Sequence, residues 1–289
     1  MIYRADLKIK SSKVRLISPV IFANIAKIYF EILDEKEALL QIQKLLSSNT
    51  LISDVLVSER FPINNIKAEK FESSAPDIKT KRNHYRAWKK NKKLDYFLSE
   101  TEIMRRRIQI DRNTGAAREK YLFNDIEQWY DKNTTYCFYV HTSDKKVLEL
   151  MELALKVMEF TGIGVDTTIG AGQIEFLKQD GKIFKEDYKI EELFIRSSEN
   201  FALNLASTIL FEEVIKDINF VRYRVERYDG RSLEIVKPPY FYVERGSVIR
   251  ANVARPYLRE YSKNGKSIYI YTCIFPVALD GLEKEGKKC

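Results

Sequence analysis

The 289-residue sequence is poor in the side chains on which much enzyme chemistry depends, with only two histidines and three cysteines. Cys137, Cys273 and Cys289 are odd in number, and no pair has metal-ligand spacing. A disulfide framework is therefore not expected, and a reducing compartment fits best. Cys137 sits in the apolar run YCFYV and reads as a small buried hydrophobe. His141 ends that run just before a helix cap and reads as structural. No metal cluster and no Ser/His/Asp arrangement emerges, so neither a metal nor a cofactor is expected. No apolar stretch of 18 residues occurs, so no membrane span is expected. The opening MIYRADLKIK alternates instead of building the apolar core of a signal peptide, and the expected location is the cytoplasm.

What the sequence does have is a sizeable apolar fraction, 45%, and a formal net charge of +8. The first supports a real core. The second fits an anionic partner, either nucleic acid or a membrane surface, although a lysine-rich soluble surface gives the same number.

Residues 2 to 9 alternate as a strand does, and Ser18-Pro19 carries the signature of a helix start, with serine as N-cap and proline at the first helical position. A helix to about Leu33 follows. IMRRRIQI (103 to 110) reads as an edge strand with Arg105 and Arg107 on one face, and TYCFYV (135 to 140) as a buried strand. Val147, Leu148, Met151, Leu155 and Met158 form the apolar stripe of a helix capped by Ser143 or Asp144. QIEFL (173 to 177) is a further strand. The order strand, helix, strand, strand, helix, strand predicts an α+β chain whose residues 1–178 form a ferredoxin-like domain with a long insertion. The RNA-recognition fold has the same topology. Residues 179–289 read as a second, strand-rich domain. In it Asp229-Gly230 marks the turn of a hairpin spanning 219 to 237.

Between the last helix and strand of the first domain lies GIGVDTTIGAG, from Gly162 to Gly172. Dinucleotide fingerprints run strand, loop, helix; here a helix leads in and a strand leads out. A phosphate-binding P-loop needs Gly-Lys-Ser/Thr, and no lysine occurs between Gly162 and Gly172. Gly162 can act as a helix C-cap. Gly164, Gly170 and Gly172 are left without that explanation. Bare main chain lets another backbone approach, and its N–H groups, with the hydroxyls of Thr167 and Thr168, can receive an anion such as an RNA backbone.

This loop resembles the glycine-rich loop of CRISPR RAMP proteins, with Gly162, Gly164, Asp166, Thr168, Gly170, Gly172 and Ile174 at the pattern's positions. ISDVLVSERFP (52 to 62), IQIDRNTGAAREKYLF (108 to 123) and VKPPYFYVERGSVI (236 to 249) resemble, in the same order, segments of the branch that supplies the fourth Csm subunit of type III-A interference complexes. The resemblance implies two ferredoxin-like (RRM-like, RAMP) domains, the second degenerate, with an inserted basic segment and a β-hairpin thumb. It implies a non-catalytic scaffold that holds the 5′ tag of the crRNA, near the target RNA. Its partners would be the large polymerase-like subunit and the repeated backbone subunit, with no membrane involved. The serine-proline-histidine run that often precedes the first helix in this family is absent; the chain reads SSKVRLISPVIFANI there. LVSER before Phe61-Pro62 is a local insertion.

Three stretches are expected to touch RNA besides the loop. Lys79 to Lys93 holds eight basic residues in fifteen, interleaved with His84, Tyr85 and Trp88. Arg82, Arg86, Lys89 and Lys90 would meet phosphates and Trp88 would stack on a base. A solvated charge run is the plainer reading. The resemblance places Arg112, Thr114, Arg118 and Lys120 in or near the thumb, beside Arg105 and Arg107; a local turn with an Asp111–Arg112 ion pair is the alternative. Arg245, Ser247 and Arg250 are the third group, where a β-turn explains Gly246 equally well. Arg222 and Arg224 share a face and can serve RNA or a protein. Two other functions compete with the scaffold. One is a metal-independent crRNA-processing endoribonuclease using His84 as acid or base. The other is a stand-alone RNA-binding or membrane-surface protein.

Overall fold

The computed structural model describes residues 1–10, 15–58, 61, 100–110, 117–164, 167, 171–197, 201–228, 240–251, 254–263 and 266–278. The chain is α+β, with several antiparallel sheets and five helices among those residues.

Strand β1 (Ile2–Ile9) is the axis of the first sheet. It pairs with β6 (Tyr136–His141) from Ile2↔His141 to Leu7↔Tyr136. On its other edge it pairs with β7 (Ile174–Phe176) and, nearer its start, with β8 (Phe184–Glu186). The short β2 (Leu51–Ile52) and β3 (Leu56–Val57) both add to the outer edge of β6. The strand order is β2-β6-β1-β7. Because β8 joins this sheet, the first layer runs past the expected boundary at residue 178.

Helix α1 (Ser18–Ile32) buries Ile21, Phe22, Ile25, Ile28 and Tyr29, a spacing of three and four that gives one apolar face. Its N-cap is Ile17, not Ser18, and Ile17 makes no side-chain cap bond. Helix α2 (Glu35–Ser47) went unread in the sequence, although Asp34 caps it and Ala38, Ile42 and Leu45 form its buried stripe. Helix α3 (Lys145–Thr161) starts on Asp144, whose carboxylate accepts from the N–H of Lys146 at 2.8 Å. Helix α4 (Tyr188–Arg196) packs against β1 and against the last described strand. No helix among the described residues is long and apolar enough to cross a membrane.

The later residues form β9 (Ala202–Asn204), β10 (Thr208–Ile209), helix α5 (Glu212–Asp217), β11 (Ile218–Arg222), β12 (Val225–Tyr228), β13 (Tyr240–Val243), β14 (Ser247–Ala251), β15 (Pro256–Lys263), β16 (Lys266–Cys273) and β17 (Pro276–Ala278). One sheet has the order β11-β14-β9-β17, and a second has β10-β13-β12. The turn and return arm of the expected hairpin around Asp229-Gly230 lie outside the described residues. Among the described residues β12 pairs with β13, up to Tyr228↔Tyr240, and β11 pairs with β14.

The two parts share one core. Phe22 of α1 stacks on Tyr271 of β16 at 4.4 Å between centroids, and the same cluster of buried residues runs from Ile2 and Leu7 to Leu203, Phe275 and Val277. A second, smaller cluster holds Ala202, Phe211, Ile218, Tyr242 and Ile249. Cys137 and Cys273 are buried free thiols, and burial pushes both up to about 11.

Strands β4 (Glu100–Ile110) and β5 (Ala117–Tyr130) form a long two-stranded hairpin, in register from Glu100↔Tyr130 to Ile108↔Leu122. Strand β4, expected as the second strand of the first domain, is instead one arm of a ribbon outside that sheet, where β2 takes the expected place. At about 3.3 Å per residue the ribbon reaches roughly 35 Å.

Candidate nucleic-acid interface

Several segments meet at the C-terminal end of β1. The Lys10 N–H donates to Gln173 O at 2.8 Å, which ties β1 to the exit of the glycine turn. Leu16 N–H donates to the hydroxyl of Tyr130 at 3.0 Å, which ties the approach to α1 to the root of the hairpin. Val55 N–H donates to Leu16 O at 2.9 Å. The sequence therefore brings the glycine turn, the hairpin root and residues 53–55 to one end of one sheet, although they are far apart along the chain.

The glycine turn is clasped on itself. Gly162 ends α3 with φ +79°, and its N–H donates to Met158 O at 2.8 Å, so the expected C-cap is present. Ile163 N–H then donates to Gly172 O at 2.9 Å. Gly172 has φ +76°, and a Cβ there would lie 2.1 Å from Ile163 O. A Cβ on Gly162 would lie 3.0 Å from Ala171 O and 3.1 Å from Thr167 Cγ2. Close backbone approach is thus the reason for glycine at 172, as the sequence suggests, but the approaching backbone is the chain's own. Gly164, at φ +94°, gives its N–H to Asn24 Oδ1 of α1 at 3.1 Å. The entry and exit of the turn are thus fastened to each other, with Thr167 half-buried against them; residues 165, 166 and 168–170 lie outside the described residues.

Residues 53–55 form the junction beneath this end. Ser53 N–H donates to Tyr139 O, and Tyr139 N–H returns to Ser53 Oγ, which locks the segment to β6. Asp54 is fully buried. Its Oδ1 accepts from the N–H of Ser18 and of Ser207, each at 2.8 Å, and its Oδ2 accepts from Ser207 Oγ at 2.6 Å. Arg245 Nη1 lies 4.0 Å from Oδ2. Burial pushes the Asp54 carboxyl above its usual range, while Arg245 and the bonds from Ser207 and Ser18 pull the other way. The carboxylate caps α1 from a distance, in the role that Ser18 was expected to fill. It also fastens the first sheet to the turn after β9.

Arg15 makes a second link. Its Nη1 donates to Glu226 Oε2 at 2.7 Å and to Glu244 Oε1 at 3.0 Å, and Tyr242 Oη donates to Glu226 at 2.8 Å. Burial disfavours ionisation at both carboxyls. Hydrogen bonds from Tyr242 and Glu244 and the charge of Arg15 nevertheless hold Glu226 below its usual range. Glu244, more deeply buried and bonded to Glu226, is pushed above it. Arg224 pairs with Glu226 at 3.1 Å, so this arginine is part of a protein network.

Of the residues expected to bind RNA, Gly162, Gly164, Thr167 and Gly172 come together in the turn. Arg105 and Arg107 stand on β4, opposite Asp125 and Phe123; Arg118 and Lys120 stand on β5 near the distal end of the ribbon. Thr168, Gly170, Arg82, Arg86, Trp88, Lys89, Lys90, Arg112, Thr114 and also His84 lie outside the described residues. Two expectations need correction. Ser247 is fully buried and donates its hydroxyl to Glu244 O at 2.6 Å, so it is no surface donor. Arg245 is mostly buried and donates to Val55 O at 2.8 Å, so it holds the junction together. Arg250 is exposed, away from the junction, with its guanidinium 5.1 Å from the ring centroid of Phe201. His141 stacks on Phe194 at 4.8 Å with Nδ1 3.3 Å from Asn49 O, and burial lowers its pKa. Sequence reasoning missed Asp54 and Arg15 as organising residues. Their partners are contributed by segments remote in sequence, and only the ISDV string hinted at the first.

Comparison with solved structures finds this architecture end to end. A chain in the crystal structure of the Csm3-Csm4 subcomplex of the type III-A CRISPR-Cas interference complex superposes with a TM-score of 0.57 and 16% identity, over 96% of this chain and 99% of that one. Chains of the Csm1-Csm4 cassette, crystallised with pppApA and with cA4, give TM-scores of 0.55 and 0.56 at 11% identity, over 96% of this chain and 98% of theirs. At these identities what is shared is the fold. No family model and no curated protein sequence matches the chain.

Proposed function

We propose that this chain is the fourth Csm subunit of a type III-A CRISPR effector complex, a non-catalytic RAMP scaffold. In this reading it holds the 5′ tag of the crRNA, with the target RNA nearby. It bridges the large polymerase-like subunit to the repeated backbone subunit. The observation that carries the reading is the end-to-end fold likeness to chains from two kinds of assembly whose common component is Csm4. Strand order supports it. Both β2-β6-β1-β7 and β11-β14-β9-β17 follow the order second, third, first, fourth of a ferredoxin-like unit, the second with a short helix and a hairpin where the first has two full helices. The clasped glycine turn is tied to β1, and the root of the ribbon is tied to the approach to α1. The net charge of +8 supplies attraction for an RNA backbone.

Co-expression with the other complex subunits is expected to yield RNA of one uniform 5′ end in the material that this chain pulls down. RNA with heterogeneous ends, and no RAMP partner, would overturn the reading. Purified full chain is expected to leave repeat RNA intact in EDTA. Clean cleavage that disappears in His84→Ala would favour the processing endoribonuclease instead. Replacing Lys89, Lys90, Lys92 and Lys93 by glutamine is expected to flatten the plot of log affinity against log salt by roughly one unit per lost phosphate contact. An unaltered slope would mark that run as solvated surface.

A further inference from the structure

Where β9 begins and β14 ends, the second sheet carries a row of exposed side chains that the loop-centred reading does not use. Phe201 stands just before β9, Arg250 near the end of β14 and Asn219 on β11. Register aligns them: Ile249 faces Ala202, so Arg250 falls beside Phe201, and Asn219 is the direct partner of Arg250 on the other side. All three are exposed, and Phe201 is 45% accessible although the Arg250 guanidinium lies over its ring. The intervening residues Ala202, Ile249, Ile218 and Phe220 point to the opposite face, into the smaller core. The row therefore spans three neighbouring strands, roughly 10 Å at the spacing of sheet strands.

A solvent-facing phenylalanine is poorly suited to water, and an arginine laid across it presents a second flat surface. A ring, a guanidinium plane and an amide in line are the chemistry that recognises an unpaired nucleobase: two stacking surfaces and a group that can both donate and accept along the base edge. The row lies at the end of a face whose middle, at Leu203 and Val277, is buried in the larger core. In the order β11-β14-β9-β17 the central strands are β14 and β9, which carry Arg250 and bring in Phe201. The row contains a cation and no carboxylate.

We propose that Phe201, Arg250 and Asn219 form a stacking platform for one or two unpaired bases of single-stranded RNA, separate from the glycine turn. The proposal rests on the chain being an RNA-binding protein, and its test separates the two. Binding of a labelled mixed-sequence single-stranded RNA to the purified full chain is measured for wild type, Phe201→Ala, Phe201→Trp and Gly170→Val at several salt concentrations. Phe201→Ala is expected to bind roughly 5- to 100-fold more weakly. Its salt slope should stay unchanged, because no charge is lost. Phe201→Trp should stay within about threefold of wild type, since indole offers a larger face. An RNA with abasic sugars should bind wild type as weakly as the intact RNA binds Phe201→Ala. An unchanged circular dichroism melt shows that Phe201→Ala folds; a fold lost with alanine and kept with tryptophan leaves the tryptophan and abasic arms to decide. If Phe201→Ala binds as wild type does while Gly170→Val is weakened, the platform is refuted and the loop reading stands. If wild type binds no RNA, both fail. If Phe201→Ala loses a complex subunit but no RNA, the patch is a protein footprint, to which the exposed Val221 and Tyr223 would then belong, and the proposal is overturned.

Discussion

Asp54→Ala is expected to destabilise the chain by about 3–5 kcal/mol, the range for deleting one partner of a buried charged network. The side chain is fully buried. Its loss strands three donors at once: the N–H of Ser18, the N–H of Ser207 and the Ser207 hydroxyl. It also leaves Arg245 at the junction without its carboxylate. Each neutral orphaned donor alone costs about 1–3 kcal/mol. The contributions are not additive, because relaxation and water can rescue some of them. Asp54→Asn keeps the shape and one acceptor oxygen but turns an amide toward a donor, and about 2 kcal/mol is expected from one mismatched bond. Ser207→Ala leaves the two main-chain donors satisfied and should cost least, about 1 kcal/mol. Urea denaturation of the three variants gives the ranking. An Asp54→Ala midpoint indistinguishable from wild type would mean that the junction is not held by this carboxylate.

That junction shows how unevenly the structure was written in the sequence. Elements with a long period and a local cap were legible: the alternation of Ile2–Ile9 and the stripe Val147-Met151-Leu155-Met158 behind Asp144 were read with nearly correct bounds. Features built by distant partners were not. Asp54 bonds to residues 36 and 153 positions away, so no window contains its reason for being acidic. Ser18 has the residue type of a cap and sits one place too late to be one, because Asp54 already answers its N–H. The pairing of Val225–Tyr228 with Tyr240–Val243 was hidden for a related reason. The two strands are separated by eleven residues, and Tyr242 of the second is buried in the smaller core. Ser247 and Arg245 were read as RNA contacts from residue type alone. Burial, which residue type does not reveal, assigns both to the protein interior. The mixed character of the candidate site follows. The glycine turn was found because four glycines in eleven residues are conspicuous, and the Phe201 row was not, because its members come from three strands.

Gly172→Ala is expected to cost more than ~2 kcal/mol and to deform the turn, because two penalties coincide there. The backbone sits at φ +76°, which a residue with a Cβ adopts only with strain. The new methyl would also lie 2.1 Å from Ile163 O and 2.8 Å from Ile163 N, both main-chain atoms that cannot rotate aside. The Ile163 N–H to Gly172 O bond must then break or the helix end must shift. Gly181→Ala is the matched control. Its φ is also +76°, but a Cβ there meets nothing within 4 Å, so only the conformational penalty of about 1–2 kcal/mol applies. The difference between the two melts isolates the clasp from the handedness of the backbone. RNA affinity supplies the functional half. If the glycine turn receives a phosphate, Gly172→Ala should weaken binding by distorting its base, Gly170→Val should weaken it with little loss of stability, and Gly181→Ala should leave it alone. Equal stability loss at Gly172 and Gly181 would show that the two limbs of the turn do not touch. Lost stability with intact affinity at several salt concentrations would make the glycine turn an architectural corner and move the RNA elsewhere on the chain.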